Sequence, residues 1–476
     1  MANFDLTNLA VKIICPNNVV KTDDTDLPSV LVYIPKFKNS DVLTGGNDST
    51  HPAFIVNGVE IPGFYYGKFQ AKVYNSVAYS LPAEDPTASI NFDTARARCE
   101  AKGAGWHLST NAEWAAIALW CKKNGFLPYG NNNYGKDSRE SNYKAVPSYY
   151  ESNKIARVAT GTGPISWSHD KTMAGIWDMN GNVWEWQGGI RLVWGELQIL
   201  ANNDAADPDN PQNATSTCWK AINAADGALV DPESKTTDSS AHVSGKTVKL
   251  DYVNNKWTYS TSITNAKDES RSCAFYQVTA DSSIGDAAKV MLRALALLPD
   301  SDVTTDVYEG DYMWWNNGVA ERCVSRGGSW YRGAGAGVFS LRGHASRSGA
   351  SAAVGFRAAC VRFICDSDTL DDLDSDKKQP EPKRRSILAP DFIGRIKQVL
   401  ARQFQKLYEA AHGEDPEGFA ELAEKATAEE LTKAAALSTA LAQVNTAVDM
   451  YELTAKQLKL AATTSITIKT EVTDHE

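Results

Sequence analysis

The residues best suited to metal or redox chemistry are scattered along this chain. Eight cysteines stand at 15, 99, 121, 218, 273, 323, 360 and 365, and none forms a CxxC pair. Seven histidines, at 51, 107, 169, 242, 344, 412 and 475, show neither HxxxHxE spacing nor a zinc-type cluster with cysteine. A GxSxG elbow, a phosphate-cradling glycine loop and a convincing pair of catalytic acids are absent from the sequence too. Most of the cysteines therefore read as small buried hydrophobes in a reduced compartment, with disulfides as the other reading. A different chemistry is concentrated at 329–353. The stretch SWYRGAGAGVFSLRGHASRSGASAA has no Asn, Asp, Lys, Glu, Gln or Met, in a chain otherwise rich in Asn and Asp. Tyr brings contact area, Arg brings planar charge and Ser brings adaptable hydrogen bonds, which together suit recognition. Gly and Ala in the same stretch suit the tight turns of a fixed loop, and that reading stays open.

The elements that must position this stretch can be placed in outline. Residues 1–27 read as a strand-forming arm with Val11, Ile13 and Ile14, and Ser29–Pro35 as a strand entering a compact domain at 28–365. Helices are expected at about 92–102, ended by Gly103, and at about 110–124. The second opens on Thr110 with Glu113 three residues on, a capping-box pattern. Trp114, Ile117, Ala118 and Cys121 then recur at helical spacing. Residues 200–310 read as a polar insertion holding a strand at 247–252 and a helix at about 285–297. The aromatic run Tyr312-Met313-Trp314-Trp315 leads into the glycine-rich block at 326–357.

Past the compact domain the character changes. Residues 366–390, acidic and then basic around two prolines, form a charged solvated linker. Residues 391–476 read as a helical attachment or oligomerisation domain. There Leu437, Leu441, Val444, Val448, Tyr451, Ala455 and Leu458 follow alternating steps of four and three. This heptad seam fits a homo-oligomer such as a trimer, and equally a stripe packed on the helix at 392–412. The formal charge of −10, from 48 basic and 58 acidic residues, argues against nucleic-acid binding. With no apolar run of about 18 residues, membrane insertion is not expected, and the N-terminus shows no secretory signal pattern.

Four blocks, in order, resemble the formylglycine-generating-enzyme family with its C-type-lectin-like fold. They are Leu31-Val32-Tyr33-Ile34-Pro35-Lys36-Phe37; Phe92 to Arg96 with Trp106 to Trp114; Ala174-Gly175-Ile176-Trp177-Asp178-Met179-Asn180-Gly181-Asn182-Val183-Trp184-Glu185-Trp186; and Arg326-Gly327-Gly328-Ser329-Trp330 closed by Gly355-Phe356-Arg357. The resemblance spans about 28–365. It implies an α+β domain of short twisted strands, two helices and long loops, followed here by the C-terminal helices. Alternation along Trp184-Glu185-Trp186 puts two indoles on one strand face and a carboxylate on the other. Arg326 and Arg357 are expected to hold the core by hydrogen bonds. The family's oxidases bind copper through two thiols, which fall here at about Arg332 and Gly337; neither has sulfur. The resemblance also implies that Asn182 and Glu185 help bind a structural calcium ion. A hydrogen-bonded Asn and an Arg-paired Glu are the alternative. No other cofactor is required.

The 329–353 window further resembles the variable region of retroelement-diversified proteins of this fold, which lies just before the closing GFR. In those proteins randomised adenines, often in AAC or AAT codons, give Tyr, Ser, Gly, Ala, Arg and His but never Trp, Lys, Glu, Gln or Met. The implied ligand-binding residues are Tyr331, Arg332, Gly335, Ser340, Arg342, His344, Ala345, Gly349, Ser351, Ala352 and Ala353, with Trp330, Val338, Phe339 and Leu341 as buried anchors. The resemblance implies a non-enzymatic receptor-binding protein of a bacteriophage tail tip or fibre, made in the bacterial cytoplasm. Its partners would be a host-cell surface protein or glycan and other virion proteins. A structural virion protein with a fixed module, a bacterial ligand-binding protein, and a divergent metal-dependent oxidoreductase are the alternatives.

Overall fold

The computed structural model describes residues 11, 15, 17–23, 27–301, 303 and 306–361. The linker at 366–390 and the helical segment at 391–476, heptad seam included, lie outside the described residues.

Two sheets organise the domain. The smaller has five strands in the order Asn18–Thr22, Pro28–Pro35, Gly63–Gly67, Ala358–Cys360 and Trp106–Leu108. Ala358–Cys360 runs antiparallel to both of its neighbours, so the stretch after the GFR block is tied back to the start of the domain. The expected strand from Ser29 is the inner part of Pro28–Pro35.

The two helices that the family fold implies both form. Phe92–Glu100 starts at Asn91, whose side chain accepts the Thr94 N–H. Asn111–Lys123 starts at Thr110 with the full capping box: the Glu113 carboxylate accepts the Thr110 N–H at 3.0 Å, and the Thr110 hydroxyl accepts the Glu113 N–H at 3.2 Å. Such a cap is worth about 1 kcal/mol. Trp114, Ile117, Ala118 and Cys121 are all buried, as their spacing required. The helix expected at about 285–297 forms as Asp286–Ala294 inside the insertion, and with a single turn at Asn39–Val42 the helices among the described residues number four, against the two that the family fold implies.

The larger sheet has twelve strands. Its middle strand, Trp184–Val193, pairs antiparallel with Glu196–Ile199 on one side and Arg322–Arg326 on the other. Next to Arg322–Arg326 come Leu341–Ala345, then Tyr312–Trp315, then Arg271–Ala274 at the edge. Residues 200–310 build both flanks of this sheet: Ser244–Val253 and Lys256–Ser262 lie beyond Glu196–Ile199. Trp257, Tyr259 and Phe275 from the same segment share a core with Trp114, Val338 and Leu341. Burying one such side chain contributes roughly 1.5–3 kcal/mol, so the segment is part of the platform under the glycine-rich block.

The alternation expected at Trp184-Glu185-Trp186 is present, and both faces of the strand are buried, as in a sheet covered on both sides. The two indoles join a cluster with Phe92, Trp106 and Phe356. Glu185 faces the other way and meets Arg357 at 2.7 and 2.8 Å.

Candidate functional site

The glycine-rich block is held by two arginines with no solvent exposure. Arg357 donates to both Glu185 oxygens and to the carbonyls of Gly67 and Trp177. Burial opposes its charge, but Glu185 more than compensates and raises its pKa. Arg326 has no acid of this kind. It donates to Asn111 Oδ1 and to the carbonyls of Leu295, Ala296 and Phe339. Leu295 and Ala296 follow directly on the helix Asp286–Ala294, so the negative end of that helix faces the guanidinium. Burial still pulls the Arg326 pKa down to about 9. Both arginines hold the core, as expected of them.

Gly327 and Gly328 have φ of 91° and 90°, a region in which a side chain is strained. A Cβ on Gly328 would also sit 2.2 Å from that of Ala336. The chain can thus turn sharply out of Arg322–Arg326 into 329–340. The expected anchors Trp330, Val338, Phe339 and Leu341 are all buried. Trp330 packs with Ala156, Val183 and Ala353, while Phe339 packs against Phe275 at 5.1 Å and Tyr308 at 4.7 Å. Asp311 accepts the Phe339 N–H at 2.7 Å, and burial pushes its carboxyl pKa up to about 8.

On this frame the expected binding residues separate into three groups. Tyr331, Arg332, Gly335, Arg342 and His344 gather on one face. Leu341–Ala345 runs parallel to Tyr312–Trp315, with Arg342 opposite Trp314. Along Leu341–Ala345 the residues alternate, Leu341, Gly343 and Ala345 buried and Arg342 and His344 partly open. The Arg332 guanidinium lies 4.9 Å from the Trp314 ring and 5.0 Å from that of Tyr331. Gly335 sits over Trp314 so closely that a Cβ would lie 3.3 Å from the ring. Arg342 Nε donates to His344 Nε2 at 3.3 Å, and His344 Nδ1 meets Ser270 Oγ at 3.0 Å. Burial, then the charges of Arg342, Arg332 and Arg322, pull His344 down to about 4. Its imidazole is therefore neutral at pH 7.

The second group, Ser340, Ala345 and Ala353, is buried and presents no side chain outward, which corrects the expectation for these three. Ser340 Oγ donates to the Gly335 carbonyl at 2.7 Å and braces the loop from inside. Ala345 and Ala353 lie in apolar clusters. The third group, Gly349, Ser351 and Ala352, is bonded elsewhere. The Gly349 N–H turns back to Ser346, the Ser351 carbonyl accepts from Ser89 and Val354, and the Ala352 carbonyl accepts from Arg157.

Sequence reasoning missed Tyr312 and Trp314. Tyr312 is 37% exposed and Tyr331 is 41% exposed. The rings of Tyr312 and Trp314 are 5.5 Å apart at 34°, and Trp314 stands edge-on to buried Trp184 at 5.6 Å. The alternation in Tyr312-Met313-Trp314-Trp315 was the available signal: Met313 and Trp315 are buried, and their neighbours are not.

Asn182 and Glu185 do not fit a calcium ion, which corrects that expectation. Both Glu185 oxygens face the Arg357 guanidinium, which would repel a dication. The Asn182 Oδ1 already accepts from Asn131 and from the Val158 N–H. Cys323 and Cys360, which flank the block, are buried free thiols. Burial pushes Cys323 up to about 12 and raises Cys360, which suppresses the thiolate a soft metal needs.

With this geometry in place, the chain can be set beside known proteins. Residues 52–191 match the FGE-sulfatase family, a sulfatase-modifying factor enzyme 1-like domain. Over that stretch the fold is similar to that of the sulfatase-modifying factor enzymes, and the elements of the described residues are mostly strands with a few helices. No curated protein matches the chain. Among solved structures, Treponema denticola variable protein 1 is similar at 12% identity, covering 72% of this chain and 98% of that one, with a TM-score of 0.25. A Major Tropism Determinant U1 variant is similar at 10% identity, covering 70% and 62%, with a TM-score of 0.24. The P3c variant of the same determinant is similar at 9%, covering 72% and 71%, with a TM-score of 0.24.

Proposed function

We propose that this chain is a non-enzymatic ligand-binding protein whose binding face is formed by Tyr331, Arg332, Gly335, Arg342 and His344 together with Tyr312 and Trp314. The observation that carries this reading is the division of labour in the glycine-rich block. Its buried residues are committed to the frame, while Tyr331 and Arg332 are presented beside the Tyr312 and Trp314 rings and Arg342 on the adjoining strand. A preorganised face of Tyr, Trp and Arg loses little freedom on binding. The oxidase alternative is disfavoured because Arg332 and Gly337 stand where the family's thiols fall, and the flanking thiols are buried. The setting that suits such a face is a bacteriophage tail tip or fibre, with a host-cell surface receptor as ligand and the residues of the face open to retroelement diversification. Oligomerisation through the C-terminal segment would add avidity to a weak single site.

The test is binding of the purified full chain to bacterial cells that the parent chain binds. Replacing Tyr331, Arg332 and His344 together by Ala is expected to abolish binding while leaving the melting temperature within a few degrees. Unchanged cell binding would overturn the assignment of this face.

A further inference from the structure

We infer that the ligand of this face is an acidic sugar, a pyranose carrying a carboxylate, sulfate or phosphate; the inference rests on the binding reading above and narrows its ligand. Cations outnumber acids here. Among the described residues neither Arg332 nor Arg342 makes an ion pair, and no protein acceptor takes their terminal nitrogens. Arg322 lies close enough for its charge to reach His344, and its ion-pair partner among the described residues is Asp268 at 3.6 Å, itself 70% exposed. By contrast, neighbouring Arg347 is fully engaged by Glu321 and Asp93. Like charges brought together on a fixed frame repel one another. An oxyanion bound between them relieves that repulsion and accepts the charge-assisted hydrogen bonds they offer. The chain as a whole carries −10, so the attraction is local to this face and reaches only about a Debye length, roughly 8–10 Å at physiological salt.

Charge alone would suit an acidic peptide as well, and the aromatic base decides between them. Exposed Tyr312 and half-buried Trp314, their rings at 34° to one another and Trp314 edge-on to Trp184, make an aromatic ledge with exposed Tyr331 beside Arg332 at its border. An aromatic face presents negative electrostatic potential to polarised C–H bonds. The C–H face of a pyranose ring packs against the exposed rings of Tyr312 and Tyr331, while its charged substituent reaches the guanidinium groups beside them. Ser270 Oγ, exposed and fixed by its bond to His344, adds a hydroxyl partner of the kind sugars use. Asp and Glu side chains carry their charge on short flexible stems and gain little from a ledge of this size.

The experiment measures binding of the full chain to matched polymers immobilised at equal density. These are polygalacturonate beside its fully methyl-esterified form, dextran sulfate beside dextran, and poly-glutamate as the peptide polyanion. At least one acidic polysaccharide is expected to bind ten-fold or more tightly than both its neutral counterpart and poly-glutamate. Binding should weaken as salt rises, and Arg332→Ala with Arg342→Ala should remove it with an unchanged melting temperature. Poly-glutamate binding as tightly as the acidic polysaccharides would overturn the sugar assignment in favour of acidic peptides. Neutral and acidic polysaccharides binding alike would overturn the role of the anion. No binding to either acidic polysaccharide would overturn the ligand class. In that case, loss of cell binding in the Tyr331, Arg332 and His344 variant would show that the face itself still stands.

Discussion

Two pairs of arginines in one short block have opposite fates. Arg326 and Arg357 have no exposure, and oxygen atoms of the protein take up their donors. Arg332 lies over the rings of Trp314 and Tyr331, Arg342 donates to a neutral histidine, and among the described residues neither meets a carboxylate. The difference does not come from residue type or from sequence distance. It comes from which strand or turn each side chain leaves. Arg326 ends a strand and points at the trailing carbonyls of Asp286–Ala294, whereas Arg342 lies on the open side of Leu341–Ala345. The lesson is that a conformationally committed frame and a face with spare donors can occupy the same stretch of chain, provided that the frame residues are satisfied without help from the face.

That separation can be attacked from both sides, starting with the largest effect. Replacing Arg357 by Ala leaves Glu185 charged and buried without its partner, which should cost about 3–5 kcal/mol in a urea titration. Arg332→Ala should stay within about 0.5 kcal/mol of the parent. Equal losses would mean that frame and face are one unit.

A smaller effect sharpens the picture of the frame. Asp311 holds the Phe339 N–H, and its folded pKa, raised by burial to about 8, lies far above its ordinary 3.8. Between these values the unfolded chain gives up the proton while the folded chain keeps it, so folding stability falls as pH rises through that window. Asp311→Asn keeps an acceptor for Phe339 and removes the titration. The variant should melt higher than the parent at pH 7.5 and within a degree or two of it at pH 4. A lower melting temperature at pH 7.5 would show that the ionised carboxylate supports the loop.

Much of the frame was legible in the sequence because its signals are local. Thr110 with Glu113 marks a helix start through bonds made within one turn, and Trp330, Val338, Phe339 and Leu341 announce burial by type. The roles of Arg326 and Arg357 were legible as core bonds, but not their side-chain partners Asn111 and Glu185, which lie more than a hundred residues away along the chain. The face was only half legible. Tyr331, Arg332 and Arg342 stood out by composition, yet Tyr312 and Trp314 join them through a parallel strand pairing that no local pattern encodes. Ser340, Ala345 and Ala353 were read outward because small residues carry little signal of direction. For Ala345 the alternation Leu341-Arg342-Gly343-His344-Ala345 already placed it inward. Calcium at Asn182 and Glu185 failed for a related reason, since oxygen donors look alike in sequence until their partners are known.

The most direct test of a changeable face on a fixed frame is deep sequencing of codons 310–360 in a near-clonal population. Variation is expected at 331, 332, 335, 342 and 344, with Arg326, Trp330, Val338, Phe339, Leu341 and Arg357 constant. A uniform sequence across the face, or anchors that vary as freely as Tyr331, would contradict it.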